Sequence, residues 1–247
     1  MKKFRNPFAD LTPFERGLWS ASVLVIILSA VFMGGADILS VIASLIGVTA
    51  LIFVAKGYVI GQILTVVFAL FYGIISFHQR YYGEMITYLG MSSPMAIAAA
   101  VAWLKNPFRD TKEVAVRPMN FKTVVWLCTL TVLVTAAFYF ILGWMGNASL
   151  IVSTVSVTTS FLASALTYLR SPYYALAYAA NDIVLIVLWI IAMGDDMSYL
   201  SMVLCFVMFL ANDLYGFFNW RRMEKMQKMS CAAQKLLLTN CSSCDKI

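Results

Sequence analysis

The chain has 247 residues, of which 62 % are hydrophobic and 12 % are charged. Its mean hydropathy is +0.83, which excludes a soluble protein, because a soluble core cannot hide that much apolar surface whereas lipid can solvate it. The short alternating strands of a membrane β-barrel are absent from the sequence. These features predict an all-α, polytopic helical membrane protein.

Eight apolar runs follow one another, and each is close to or longer than the roughly 20 residues that span a bilayer as a helix. The runs are 17–33, 38–55, 57–77, 85–104, 123–145, 148–169, 173–193 and 197–219. The first is the shortest and follows a basic N-terminus. It is either a retained span or a cleaved or interfacial segment.

The net charge of +6 comes from basic residues at the ends of the runs, where they act as topology signals rather than as a nucleic-acid surface. If all eight runs cross the membrane from a cytoplasmic N-terminus, every one of the 18 lysines and arginines except Arg80 lies on the cytoplasmic side. Glu84 falls in an outer loop. We therefore expect a multi-pass protein of the bacterial inner membrane with both termini in the cytoplasm and no nucleic-acid partner.

Residues of metal and cofactor chemistry are scarce. Cys241 and Cys244 have the spacing of a metal or redox motif, but no second pair and no histidine accompany them. His78, the only histidine, lies at the outer rim, and no nucleotide-binding or hydrolase motif occurs. The sequence predicts no cofactor, no metal and no enzyme activity.

The spacing of the loops indicates an internal repeat. Basic turns at 56–58 and 170–173 are each followed by a short outer loop and later by a basic exit. Parallel repeats of this kind occur in transporters that bind substrate near the midplane, between the repeats. The predicted parts are an extra helix (1–37), a three-helix bundle (38–105), a basic loop with a linker helix (106–147), a second bundle (148–222) and a tail (223–247).

The last two runs carry the polar residues of a candidate binding site. Asn181 and Asp182 lie near mid-depth in run 173–193, and Trp189 shares the helical face of Asp182. In run 197–219, Asn212, Tyr215 and Asn219 share one face. We expect both faces to line one cavity between antiparallel neighbours. Trp220, which follows, has the position of an interfacial tryptophan.

The first bundle contributes Gln62 and Tyr88 to this predicted cavity. Amides donate and accept hydrogen bonds, as ribose hydroxyls or an amide ligand require. Aromatic faces stack on a flat ring and favour a cationic one. Asparagines within membrane helices can instead bond helix to helix. Asp182 and Asp213 are the only charged residues inside the runs, and buried charge in a bilayer usually marks function.

The sequence Asn181-Asp182, with Trp189 beyond it, and the stretch from Asn212 to Arg221 resemble the PnuC family of bacterial vitamin transporters. The resemblance covers residues 38–225. It implies a fold similar to that of SWEET sugar transporters, with two three-helix bundles and a linker helix, and it allows a trimer. It also implies facilitated diffusion of nicotinamide riboside, which a cytoplasmic kinase traps by phosphorylation.

The resemblance implies roles for individual residues as well. Trp189 would stack on the pyridinium ring, and Asn181, Asn212 and Gln62 would bind the ribose hydroxyls. Asp182 would either offset the charge of the ligand or make a structural hydrogen bond. The first bundle departs from the pattern because it lacks an Asn-Asp pair of its own.

Two other functions remain open from the sequence alone. A proton-coupled transporter of another vitamin, nucleoside or sugar could use Asp182 or Asp213 as its proton carrier. A membrane-embedded enzyme or an accessory subunit would need a nucleophile or a set of metal ligands, and the sequence offers no convincing one.

Overall fold

The computed structural model describes residues 6–32, 38–78, 81–147, 149–194 and 199–237. Within these ranges, eight helices are long and apolar enough to cross a membrane, so the protein is an all-helical, multi-pass membrane protein. The helices are α1 (Pro13–Phe32), α2 (Ile38–Ala55), α3 (Val59–His78), α4 (Tyr82–Lys105), α5 (Phe121–Trp144), α6 (Leu150–Tyr168), α7 (Tyr174–Met193) and α8 (Leu200–Leu237). Cys241 and Cys244 lie outside the described residues.

The helices pack as two similar groups. In the first unit, α3 contacts both α2 and α4, and in the second unit, α7 contacts both α6 and α8. The units meet where α2 packs on α8 and where α4 packs on α6. Exchanging the units exchanges these two contacts, as an axis along the membrane normal would require. The helix α5 packs on α6, and α1 packs on α2 and α8.

The turn between α2 and α3 closes with the paired hydrogen bonds of a Schellman motif. The Gly57 amide donates to the Val54 carbonyl at 2.9 Å, and the Tyr58 amide donates to the Phe53 carbonyl at 3.0 Å. Gly57 has a φ of 69°, which glycine adopts without a steric penalty.

The turn between α6 and α7 repeats this pattern. The Arg170 amide donates to the Thr167 carbonyl at 3.0 Å, and the Ser171 amide donates to the Leu166 carbonyl at 3.0 Å. Arg170 takes the place of Gly57 and has a φ of 59°, an uncommon conformation for a residue with a side chain. Equal geometry in two turns of unrelated sequence supports a structural repeat.

Two tryptophans connect the units reciprocally at these turns. The Trp220 indole in the second unit donates to the Val54 carbonyl of the first at 2.9 Å. The Trp103 indole in the first unit donates to the Thr167 carbonyl of the second at 3.0 Å. The two rings also pack together, with centroids 5.3 Å apart. Trp220 is fully buried, so the prediction of an interfacial tryptophan at this position is wrong.

The segment 106–120 lies against both turns. The Val114 amide donates to the Gly57 carbonyl at 3.0 Å, and the Arg117 amide donates to the Arg170 carbonyl at 3.0 Å. The segment therefore joins the two units through their equivalent turn residues, in addition to carrying the chain from α4 to α5.

The last helix, α8, continues beyond the end of run 197–219, as far as Leu237. Gln227 explains much of this extension, because its amide nitrogen donates to the Val114 carbonyl at 3.0 Å. Its amide oxygen accepts from the Val116 amide at 2.9 Å. The segment 106–120 therefore holds this polar extension of α8 in place. Hydropathy cannot detect the extension, because many of its residues are polar.

The first helix is fixed to the bundle by polar contacts. Lys56 pairs with the buried Glu15 at 2.9 Å, and the Trp19 indole donates to the Thr49 hydroxyl at 3.1 Å. These contacts hold α1, which contains most of run 17–33, against the bundle.

Trp103→Phe and Trp220→Phe should each lower the free energy of unfolding by about 1–3 kcal/mol, since each removes one buried hydrogen bond and part of a buried ring. Thermal unfolding of the purified protein in detergent measures the effect. Trp144→Phe is the control because Trp144 is 89 % exposed, and it should change little. Unequal effects of the two buried variants would argue against equivalent roles.

Candidate ligand-binding cavity

A closed cavity lies between the two units. Its walls come from α2, α3 and α4 of the first unit and from α6, α7 and α8 of the second. The side chains that can form hydrogen bonds in this wall are Gln62, Thr65, Tyr88, Ser92, Ser160, Tyr178, Asn181, Asp182 and Asp213. Polar groups from both units therefore converge in a bundle that is otherwise apolar.

The cavity has a volume of only about 60 Å³. Sites for drug-sized ligands usually measure about 300–1,000 Å³. The structure is thus a closed form, and the walls must move apart before a molecule of nucleoside size can enter.

The amide of Asn181 is oriented by hydroxyl groups of α6. Its side-chain oxygen accepts hydrogen bonds from Thr159 and Ser160, both at 2.9 Å, and from Ser156 at 3.4 Å. These donors satisfy the oxygen, which leaves the amide nitrogen as the group that Asn181 can offer to a ligand. Sequence reasoning missed the three hydroxyls, although the serine and threonine content of α6 was a visible signal.

Tyr88 reaches the cavity from an irregular part of α4. Residues Thr87–Ser92 form a π-helical turn, and Pro94 follows it. Since proline has no amide hydrogen to donate, its presence is consistent with the interrupted α-helical pattern. Such turns often occur at functional sites, and this one places Tyr88 and Ser92 on the cavity wall.

Two carboxyl groups face the cavity from neighbouring helices. Asp182 on α7 and Asp213 on α8 are each only 3 % exposed. The Oδ2 atom of Asp182 has no hydrogen-bond partner in the described part of the chain. Buried polar atoms are normally paired, so this oxygen is a candidate for ligand contact.

Asn212 does not line this cavity, contrary to the expectation from the sequence. Its amide nitrogen donates to the Ser22 hydroxyl of α1 at 3.0 Å and to the Met208 carbonyl at 2.8 Å. The cavity face of α8 instead carries Phe209 and Asp213. The expectation assigned the wrong face because α1 packs on α8, and helical periodicity does not show which side of a helix faces which neighbour.

Tyr215 and Asn219 also lie away from the closed cavity. The Tyr215 hydroxyl donates to Glu15 at 2.8 Å, and the Asn219 amide donates to the Ala55 carbonyl at 2.8 Å. Both residues line a second, more open cavity of about 690 Å³, at the end of the bundle that carries the two turns. The polar residues of α8 are therefore divided between two cavities and do not form one site.

Trp189 is separated from the closed cavity by an aromatic neighbour. It is 1 % exposed, and its indole donates to the Tyr72 hydroxyl at 3.1 Å. The Tyr72 ring in turn packs on Tyr88, with centroids 4.3 Å apart. Tyr81 and Tyr199 pack on the other sides of Trp189, so an aromatic layer closes the cavity at the end opposite the two turns.

Glu84 is a buried acid that sequence reasoning placed in an outer loop. The structure includes it in the first turn of α4, where it is 1 % exposed and neither carboxyl oxygen has a partner among the described residues. The loop assignment is wrong because the helix begins at Tyr82, ahead of the purely apolar run. The position directly before run 85–104 was the available signal.

Together, the repeated bundle and the closed polar cavity between its halves are the architecture of a membrane transporter. Residues 37–222 match the sequence profile of the nicotinamide mononucleotide transporter family, and the chain belongs to that family. Its relatives are transporters and not enzymes, and the resemblance to PnuC proteins is confirmed.

Two relatives show the extent of the similarity. The nicotinamide riboside transporter PnuC of Neisseria mucosa is 26 % identical over 227 residues, which cover 90 % of this chain and 86 % of the relative. The corresponding transporter of Haemophilus influenzae is 23 % identical over 215 residues, which cover 86 % and 92 %.

A solved structure has the same fold. The crystal structure of the vitamin B3 transporter PnuC matches with a TM-score of 0.79 and 24 % identity, and the match covers 89 % of this chain and 95 % of that one. The predicted all-helical fold is thereby confirmed.

Tyr72→Phe should lower the free energy of unfolding by about 1–2 kcal/mol, because the buried Trp189 indole loses its acceptor. Tyr139→Phe is the matched control, since Tyr139 is 46 % exposed on α5. Thermal unfolding in detergent compares the two variants. Equal stability of both variants would show that the indole has another acceptor.

Proposed function

We propose that this chain imports nicotinamide riboside by facilitated diffusion, with alternating access between the two units, and that phosphorylation inside the cell drives net uptake. The observation that carries this proposal is the closed polar cavity between the units of a chain that belongs to this transporter family. Both relatives are nicotinamide riboside transporters, and the substrate of the proposal is taken from them.

The chemistry of the cavity suits this ligand. Asn181 and Gln62 offer amide groups to the ribose hydroxyls and the carboxamide, and both are 2 % exposed. Phe68 and Tyr88 provide ring faces on the same wall, on which a pyridinium ring can stack. Asp182 supplies a carboxylate for the positive charge.

A direct ligand contact with Trp189 requires a further movement. In the closed form, Tyr72 lies between this indole and the cavity, and the free volume is too small for the ligand. We propose that Tyr72 turns aside as the units separate, which exposes Trp189 to the pyridinium ring. The same movement would open the aromatic layer at that end of the bundle.

The placement in the inner membrane, with both termini cytoplasmic, remains part of the proposal. Its support is the distribution of lysines and arginines, since positive loops favour the cytoplasmic side. A trimer is proposed from the resemblance. The helix α5 is the least covered of the described spans, with only 6 % of the residues in its most apolar stretch buried, so it faces either lipid or a neighbouring copy.

Proteoliposomes that contain the purified chain should take up labelled nicotinamide riboside until the inner and outer concentrations are equal. Enclosing a nicotinamide riboside kinase with ATP should convert this equilibration into accumulation, because phosphorylation removes the free substrate. A protonophore should leave uptake unchanged in vesicles without the kinase.

Two results of the uptake assay would contradict the proposal. Uptake no greater than that of protein-free vesicles would refute nicotinamide riboside as the substrate. Uptake that collapses with a protonophore in kinase-free vesicles would favour the proton-coupled transporter instead, with the buried aspartates as proton carriers.

Trp189→Ala should weaken binding of nicotinamide riboside by about 1–3 kcal/mol through the loss of stacking and cation–π contact. Isothermal titration of the detergent-solubilised protein measures this change. Trp126→Ala is the matched control, because Trp126 is 68 % exposed on α5. An unchanged affinity in a folded Trp189→Ala variant would remove this residue from the site.

A further inference from the structure

The carboxyl groups of Asp182 and Asp213 form a pair at the wall of the closed cavity. They belong to neighbouring helices and line the same cavity of about 60 Å³, and each is only 3 % exposed, so the two carboxyl groups share one small buried space. An ionised carboxylate can only accept hydrogen bonds. A bond between two carboxyl groups therefore requires one of them to carry a proton.

Basic residues do not neutralise this pair. Every lysine and arginine whose side chain the structure describes is at least partly exposed. Two other buried acids, Glu15 and Glu224, do pair with basic side chains. Any negative charge that remains on the aspartates is thus available to a ligand.

The other titratable side chains around the pair, in the described part of the chain, are three tyrosines, one cysteine and one more acid. Tyr88 approaches from α4, Tyr174 and Tyr178 lie on α7, and Cys205 lies on α8. Glu84 lies one helical turn before Tyr88 on α4. The walls contributed by α2, α3 and α6 hold no titratable side chain.

We infer that Asp182 and Asp213 share one proton and together present a single negative charge, which makes the cavity select a monocationic nucleoside over a neutral nucleoside of the same shape. This inference deepens the proposed function and rests on it for the identity of the ligand. Asp213 thereby has a role in charge selection that it shares with Asp182, and the sequence alone does not indicate this shared role.

A single charge is the state that fits both the site and the ligand. Two ionised carboxylates on the wall of so small a cavity would repel each other and would each be removed from water without a basic partner. Two neutral carboxyl groups would leave the fixed positive charge of a pyridinium ring unpaired inside the membrane. One proton on the pair makes the occupied cavity neutral.

Binding to four versions of the full-length chain tests the inference: the wild type, Asp182→Asn, Asp213→Asn and the double variant. The probes are nicotinamide riboside and its uncharged 1,4-dihydro form, and the readout is the ratio of their dissociation constants. We expect the wild type to prefer the cation by at least about tenfold, since a buried charge pair contributes strongly.

Each single substitution alters contacts, so absolute affinities will change. The preference for the cation should nevertheless stay within about threefold of the wild type, because one carboxylate remains and loses its shared proton. The double variant should bind the two probes about equally. This pattern, in which only the double substitution removes the preference, is specific to a shared proton.

Other patterns overturn the inference. A stepwise loss of preference in both single variants would mean two independent charges, and a preference retained by the double variant would mean that the charge lies elsewhere. Failure of the wild type to bind nicotinamide riboside would instead refute the proposed function. Binding of the dihydro form by the double variant shows that its cavity is folded.

Infrared spectroscopy provides a second measurement that does not depend on the double variant. The wild type should show the C=O stretch of a protonated carboxyl group that each single variant lacks, because the remaining aspartate is ionised. A spectrum unchanged by both single substitutions would overturn the inference.

Discussion

The fold depends on one constraint, which is that polar backbone groups inside a membrane bundle must find their partners within the protein. The carbonyls of Val54 and Thr167 show how this chain meets it, because each accepts from its own turn and from a tryptophan of the other unit. The units are therefore joined at one end by directional bonds. Any opening of the cavity must either break these bonds or use them as a pivot.

The same constraint sets the polar cavity apart from the rest of the bundle. The side-chain oxygen of Asn181 is satisfied by hydroxyls of α6, whereas Asp182 and Glu84 retain oxygens without partners in the described part of the structure. Unpaired buried oxygens destabilise a resting bundle. The unpaired oxygen of Asp182 belongs to a residue on the cavity wall, where a ligand that passes through can supply its missing partner.

Hydropathy and spacing were sufficient to predict eight spans and a repeated turn, since both depend on local composition and chain length. They also placed Asn181, Asp182, Gln62 and Tyr88 on a common wall. They failed for Asn212, because α8 has a neighbour on nearly every side and its sequence does not show which one a polar side chain will meet. Only the packing of α1 decides that the amide meets Ser22.

The two units contribute different chemistry although their backbones are alike. The second unit supplies both aspartates, Asn181 and its hydroxyl donors, whereas the first supplies Gln62 and the rings of Phe68 and Tyr88. A ligand with a charged ring and a hydroxylated sugar is satisfied only when both units contact it. Because neither unit alone offers the full set, we expect a bound ligand to draw the two units together around itself, as the proposed alternating access between two repeats requires.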